Sequence, residues 1–325
     1  MVAKKRPAAS SSSGAAPAAK RQRRVGLYEE YKGRKIPEPR LPRPAAAAGF
    51  KAICWNVAGL RALLAKRSKE LQRLVRQEQP TVLGFLEHKL QEGEQVEEAT
   101  RTLQALLPEY MPAVFSCAKR PGYSGAAVLV RKEAAGGSKV TPLKFEKGPT
   151  EGRTLCVEFP KVFVVVSYVV NSGDGLKRLK ERIGHWDPKL RQHLASLAKK
   201  KPVLLLGDLN VAHRDLDIWN LEAPYIPVSA ATTPEERASF GKLLDAGFVD
   251  GFAHLHPEAK GAFTYWSVRA RNRAPNRGLR LDYALVSKGA VAGKGSKVRL
   301  VDAFHLPAFA PGGDHCPVGA TLAGA

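Results

Sequence analysis

The run PVLLLGDLN, residues 202–210, ends in an acid and an amide two positions apart. In extended geometry Asp208 and Asn210 point to one side, with Leu209 on the other. Further apolar runs are bordered by groups of similar chemistry. Asn56 closes WNV, Glu87 closes FLE, and Tyr168 and Asn171 sit in SYVVN. Asp282 opens DYALVS, and Asp314 and His315 precede CPV. A single residue of this kind is ordinarily a cap or a turn. Six apolar runs bordered this way point to one crevice, because α/β sheets bind ligands at strand ends.

The residue types suggest a reaction. Glu87 and Asp314 are hard oxygen donors suited to Mg²⁺, which keeps several waters and binds through one or two carboxylates. His315 can donate to a phosphate oxygen, and Asp282 can fix its tautomer and raise its basicity. Asp208 is a candidate to orient or deprotonate water, with Asn210 placing that water or a phosphate oxygen. Tyr168 and Asn171 are further donors. Together these groups describe in-line hydrolysis of a phosphodiester. No GxSxG or Cys/His signature of a covalent nucleophile is present.

Something rigid must hold these groups. The alternation of strands and helices at both ends of the chain, with hairpins between, predicts a mixed-sheet α/β architecture. Strands are expected at 50–57, 81–87, 111–118, 125–131, 153–159, 161–170, 202–210, 281–287 and 315–322, and helices at 60–77, about 92–107, about 176–200 and from Pro234. Residues 1–45 are rich in Ala, Ser, Pro, Lys and Arg, and are expected to be a disordered basic tail. The catalytic domain is expected to occupy 46–325. Two basic clusters in the tail, Lys4-Lys5-Arg6 and Lys20-Arg21-Gln22-Arg23-Arg24, predict nuclear import.

Of the formal net charge of +22, the tail carries +9 and the remaining residues +13. The folded part is therefore basic in its own right, and a nucleic acid is the natural partner. Four scattered cysteines without CxxC spacing read as reduced core thiols in an intracellular protein. No apolar run approaches the roughly 20 residues needed to span a bilayer, and the N-terminus lacks the apolar core of a secretory signal. A soluble chain with no membrane partner is expected.

The ordered phrases WNVAGLRALL, GFLEHKLQ, RPGYSGAAVLV, EGRTLCVEF, SYVVNSGDGLKRL, GDLNVAHRDLDI, TPEERASFGKLL, NRGLRLDYALVS and GGDHCPV resemble AP endonucleases of the exonuclease III type. These belong to the endonuclease/exonuclease/phosphatase superfamily. The likeness runs from about residue 50 to the C-terminus, and the GDGLKRL phrase looks most like plant-type members. The resemblance implies a four-layer α/β sandwich, with two mixed β-sheets packed face to face and flanked by helices. It implies a Mg²⁺-dependent enzyme (Mn²⁺ being a possible substitute) that cuts DNA 5′ to an abasic site, with 3′-phosphodiesterase or 3′–5′ exonuclease side activity. Glu87, Asn56 and Asp314 become the metal group, with Asp208, Asn210 and His315 able to serve a second position. Tyr168, Asp208, Asn210, Asp282 and His315 become catalytic. Asn171, Tyr123, Trp266, Leu279, Arg271, Arg273 and Arg277 become DNA contacts, with Trp266 and Leu279 lining a pocket for a bare sugar. The expected partners are abasic double-stranded DNA and base excision repair proteins, and the chain is expected to be monomeric.

Departures from the family pattern keep other readings open. Ala58 stands where animal members carry a metal-assisting Asp and bacterial ones an Asn. Asp174 stands where animal members insert an Arg, and residues 221–232 do not match the family's basic Asn/Lys loop. A degenerate nuclease that holds DNA without cutting is one alternative. A superfamily phosphatase or phosphodiesterase acting on another substrate is the second.

Overall fold

The computed structural model describes residues 26–43, 49–291 and 297–325. Twelve strands form two six-stranded sheets among these residues. The first has the order β11-β12-β1-β2-β4-β3, from Arg299–His305, Val318–Ala323, Phe50–Asn56, Val82–Leu86, Ala126–Val130 and Val114–Ser116. The second has the order β5-β6-β7-β8-β10-β9, from Lys139–Leu143, Thr154–Glu158, Phe163–Ser167, Val203–Asp208, Asp282–Ser287 and Phe248–Asp250. Each sheet has one parallel pair near its middle, β1 with β2 and β7 with β8, and the other pairings are antiparallel. Helices are α1 (Leu27–Glu30), α2 (Leu60–Glu78), α3 (Glu94–Leu106), α4 (Leu179–Glu181), α5 (Asp187–Ala198), α6 (Pro234–Asp245) and α7 (Gly251–Leu255).

The four layers follow from strand alternation. Ala52, Cys54, Val82, Leu86, Val164, Val166, Leu204 and Leu206 fill the core between the sheets. Their neighbours Ile53, Trp55, Leu83 and Phe85 face outward onto α2 and α3 through Leu63, Leu71, Leu74 and Leu103. On the far side, Val165, Leu205 and Leu285 meet Leu190 and Leu194 of α5 and Phe240 and Leu243 of α6. A strand covered on both faces must be apolar at every position, which is why these strands read as unbroken runs. Gly84 is the exception that fits: a Cβ there would lie 2.8 Å from Val166 Cγ1 across the inter-sheet gap.

Three expectations change. Strands β5, β9 and β11 were not anticipated, and all three lie at sheet edges. The segment 176–200 is not one helix. After α4 it opens into a π turn, Arg182–Trp186, before α5. Pro188 has no N–H to continue the regular ladder there. Residues 26–43, expected within the disordered tail, instead pack on the domain. Leu27 and Ile36 are buried in the α2/α3 core, and Arg43 pairs with Glu78 at 2.7 Å and Asp302 at 3.1 Å. Apolar residues spaced along that segment outweigh its polar composition. The import clusters at 4–6 and 20–24 lie outside the described residues.

Candidate active site

The parallel pairs place four strand ends together. Asn56 ends β1, Glu87 follows β2, Tyr168 follows β7 and Asp208 ends β8. The two sheets face each other, so these ends share one rim. Asn56 joins them: its Nδ2 donates to Glu87 Oε1 at 3.0 Å and to Asp208 Oδ2 at 3.0 Å.

Asp282, the first residue of β10, is the direct cross-strand partner of Asp208. Two carboxylates opposite one another repel unless a cation lies between them. His315 supplies it, with Nδ1 2.8 Å from Asp282 Oδ2 and Nε2 3.7 Å from Asp208 Oδ2. Burial alone would lower the imidazole, but Asp282 and Asp208 outweigh it and raise the His315 pKa to about 10. The ring is therefore a charged donor at neutral pH. Burial raises the Asp208 pKa, His315 opposes that shift, and Asp282 adds to it. Asp208, Asp282 and His315 offer three ligand-type atoms within 4.8 Å of one another. A protonated imidazole is no metal ligand, however, and this group works better as a charge array than as a cage.

The donor best suited to a cation is Glu87. Burial would raise its carboxyl, but the Asn56 hydrogen bond and the Lys89 ammonium, 3.2 Å away, hold it below the usual range. It is an ionised, partly exposed hard oxygen edge, which fits a hydrated divalent cation. Asp314 sits at the same rim, its Oδ1 accepting from the His315 N–H at 3.1 Å. Glu87 and Lys89 both have positive φ, 53° and 60°. His88 between them pins this turn: Nδ1 accepts from the Leu90 N–H at 3.0 Å, and Nε2 lies 3.1 Å from Ser116 O. Those partners require the neutral Nε2–H tautomer, and burial pushes the His88 pKa down to about 4.

The turn after Asp208 is equally constrained. Gly207 has φ 140°, and a Cβ there would lie 2.2 Å from Ser167 O, so only glycine lets β7 and β8 approach so closely. Asn210 takes φ 49°. Its N–H donates to Asp208 Oδ1 at 2.9 Å, its Nδ2 donates to Val169 O at 2.8 Å, and its Oδ1 accepts from Asn171 Nδ2 at 2.8 Å. Most of the Asn210 amide is thus spent on shaping the turn. Tyr168 keeps its proton, because burial, Glu87 and Asp208 all raise it.

Several supporting residues escaped the sequence reading. Arg182, buried at the start of the π turn, donates to Leu209 O at 2.7 Å, Asn210 O at 2.6 Å and Glu236 Oε1 at 2.8 Å. Glu236 also completes the capping box with Thr233 that starts α6. The T-x-x-E spacing in TPEER could have revealed that box. Arg153 lies against the Tyr168 ring, 4.6 Å from its centroid, and donates to the Tyr123 hydroxyl at 2.7 Å. Arg178 donates to the same hydroxyl at 2.8 Å, so Tyr123 is tied into the site's support.

The proposed sugar pocket needs correcting. Trp266 is 1% exposed, donates its indole N–H to Asn276, and lies under the Arg273 guanidinium at 3.7 Å. Arg273 also donates to Pro307 O. Both are held in the interior framework, not at an open wall. The wall beside the site is Tyr265, whose ring lies 4.9 Å from His315, together with Leu279 and Trp219. Arg277 stacks over Trp219 at 5.3 Å, and Arg271 is exposed.

Two face-to-face mixed sheets carrying an ionised carboxylate and a charged carboxylate–imidazole array at one rim define a hydrolase of the four-layer sandwich class. The profile of the Endonuclease/Exonuclease/phosphatase family matches residues 53–315, and the chain belongs to that family. It is 37% identical over 269 residues to an exodeoxyribonuclease of Bacillus subtilis (strain 168), covering 83% of this chain and 98% of that one. It is also 37% identical over 299 residues to the DNA repair nuclease APEX1 of Danio rerio, covering 91% and 88%. The solved AP endonuclease LMAP from Leishmania major superposes with a TM-score of 0.72 at 31% identity, covering 86% of this chain and 92% of the other.

Proposed function

We propose that this protein is a metal-dependent DNA endonuclease that hydrolyses the phosphodiester 5′ to an abasic site, leaving a 3′-hydroxyl and a 5′-deoxyribose phosphate. The observation that carries the reading is the Asp208–His315–Asp282 array set beside the Asn56–Glu87 pair. Relatives named as an AP endonuclease and as DNA nucleases support the substrate.

Asp208, its carboxyl raised toward neutrality by burial and held by Asn56 and the Asn210 N–H, takes the proton of the attacking water when in its ionised form. Charged His315 donates toward a non-bridging phosphate oxygen, and Asp282 keeps its ring aligned. Protonated Tyr168 and the remaining amide proton of Asn171 add donors on the same phosphate. Glu87, with Asp314, would hold Mg²⁺ or Mn²⁺, which when bound offsets the charge developing on the phosphate. Ala58 contributes no side-chain ligand, and its carbonyl accepts from Lys89 at 3.2 Å. A base-free nucleotide has lost its stacking, so turning it out of the duplex is cheap. Tyr265 and Leu279 offer the sugar an apolar wall. Trimming of blocked 3′ ends uses the same groups.

The protein acts as a monomer in base excision repair, and its basic tail directs it to the nucleus. No described helix is long and apolar enough to cross a membrane. The test is a comparison of substrates and an analysis of ends. An abasic duplex, poly(A) and an inositol phosphate are offered side by side, and the DNA product ends are identified by mass. Turnover confined to the abasic duplex with a 3′-hydroxyl product is expected. Preferred turnover of either other substrate would overturn the assignment.

A further inference from the structure

The loop 219–232 contains no Lys or Arg and one acid, Glu222. It cannot grip DNA through phosphate charge. It nonetheless forms one side of a groove of about 180 Å³ whose other side is Tyr265, Leu279 and Arg277. Tyr265 touches His315, so the groove opens next to the reacting centre.

Five large apolar side chains are exposed among the described residues. Tyr225, at 55%, lines this groove, and Val228 at 66% and Val268 at 64% sit next in sequence to its lining residues Ser229 and Ser267. Exposed apolar side chains gathered at one place mark a contact surface. The loop is also preorganised. Asn220 Nδ2 donates to the Tyr225 hydroxyl at 2.5 Å, Ser229 Oγ to Tyr225 O at 2.6 Å, and Thr232 Oγ1 to Ile226 O at 2.5 Å. The facing segment 265–280 has no acid; of its five arginines Arg273 and Arg280 are tied inside, while Arg269 and Arg271 are exposed and Arg277 lines the groove, so the groove as a whole is complementary to a polyanion with apolar faces.

We propose that the 219–232 loop engages substrate DNA by stacking, with Tyr225 and Val228 entering the duplex beside the abasic nucleotide and occupying the space it vacates. The inference rests on the DNA reading above and deepens it. The arginine wall supplies phosphate attraction, and the loop supplies an apolar wedge. Selectivity for a nucleotide with no base then arises partly here, because a wedge enters only where the stack is already broken.

The test is equilibrium binding of the full chain in EDTA, so that no cutting occurs. Three duplexes are compared: intact, carrying one tetrahydrofuran analogue, and carrying a one-nucleotide gap. The proteins are wild type, Tyr225→Ala/Val228→Ala, Tyr225→Phe and Val228→Ser. The double variant is expected to lose about tenfold or more on the analogue and gapped duplexes, little on the intact one, with an unchanged salt slope. Val228→Ser, at an exposed position that cannot unfold the protein, should show a smaller loss of the same pattern. Tyr225→Phe, which keeps the ring, should bind as wild type does. Equal affinity of wild type and the double variant on the gapped and analogue duplexes would overturn the proposal. So would a loss equal on all three with a slope reduced by about one, the mark of a phosphate contact. A wild type that binds analogue and intact duplexes alike would instead count against abasic recognition, while the gapped duplex still reads the wedge.

Discussion

Replacing Asp208 by Asn separates chemistry from binding. The side chain keeps its shape, and its carbonyl can still accept the Asn210 N–H now bonded at 2.9 Å. Its new amide faces the Asn56 Nδ2 and the charged His315, so the bond from Asn56 at 3.0 Å is lost, at about 1 kcal/mol. Against that, one of two opposed buried carboxylates is removed, which relieves repulsion with Asp282. These effects oppose each other, so stability should change by about 1 kcal/mol or less, and DNA affinity by less than about threefold. Catalysis should not be spared. A positioned general base contributes about 10²–10⁴-fold, or about 3–5 kcal/mol of barrier. The assay pairs single-turnover cleavage of an abasic duplex with fluorescence anisotropy on the same duplex. Cleavage within tenfold of wild type would refute water activation by Asp208. A matched collapse of binding would mean that the residue is structural.

Two further outcomes concern stability. His88 is buried neutral, with a folded pKa of about 4 against an ordinary 6.5. The unfolded chain therefore binds the proton first. Its stabilisation is complete above pH 6.5 and is lost as pH falls toward 4, by at most about 3 kcal/mol. Urea unfolding across that range should show the decline, and His88→Gln should flatten it; identical slopes would remove His88 from the account. Arg280, 1% exposed, pairs with Asp217 at 2.8 Å and Asp250 at 2.6 Å. Arg280→Met leaves the buried Asp250 without a cationic partner and Asp217 with only Arg214, 3.4 Å away, and should cost about 3–5 kcal/mol in the same unfolding measurement; a change below about 1 kcal/mol would contradict that.

The groups of the proposed site were legible because each stands beside one end of a buried strand. Apolar runs such as LLLGD and VLGFLE mark both the strand and its end, so Asp208 and Glu87 announce themselves. Edge strands lacked that signal. β5 contains Pro142 and is largely exposed, and β9 is three residues long. Trp266 was misplaced for a different reason. It neighbours Tyr265 in sequence, and alternation sends one ring to the site and the other to the core. No local pattern says which. Arg182 and Arg153 were invisible because a buried guanidinium and a solvated one read alike in sequence. Only the fold shows that Arg182 meets the carbonyls of Leu209 and Asn210. The order of residues 26–43 was missed because composition averaged over Leu27 and Ile36, the two positions that reach the core.

The central claim is that these strand ends form a metal-assisted site for phosphodiester hydrolysis at an abasic nucleotide. It is tested most directly by incubating the full chain with a duplex oligonucleotide carrying one tetrahydrofuran analogue, with Mg²⁺ and with EDTA. Incision immediately 5′ to the analogue, present with Mg²⁺ and abolished by EDTA, is the predicted result, and it would show that Ala58 is tolerated. Tight binding with no incision under either condition would contradict the account.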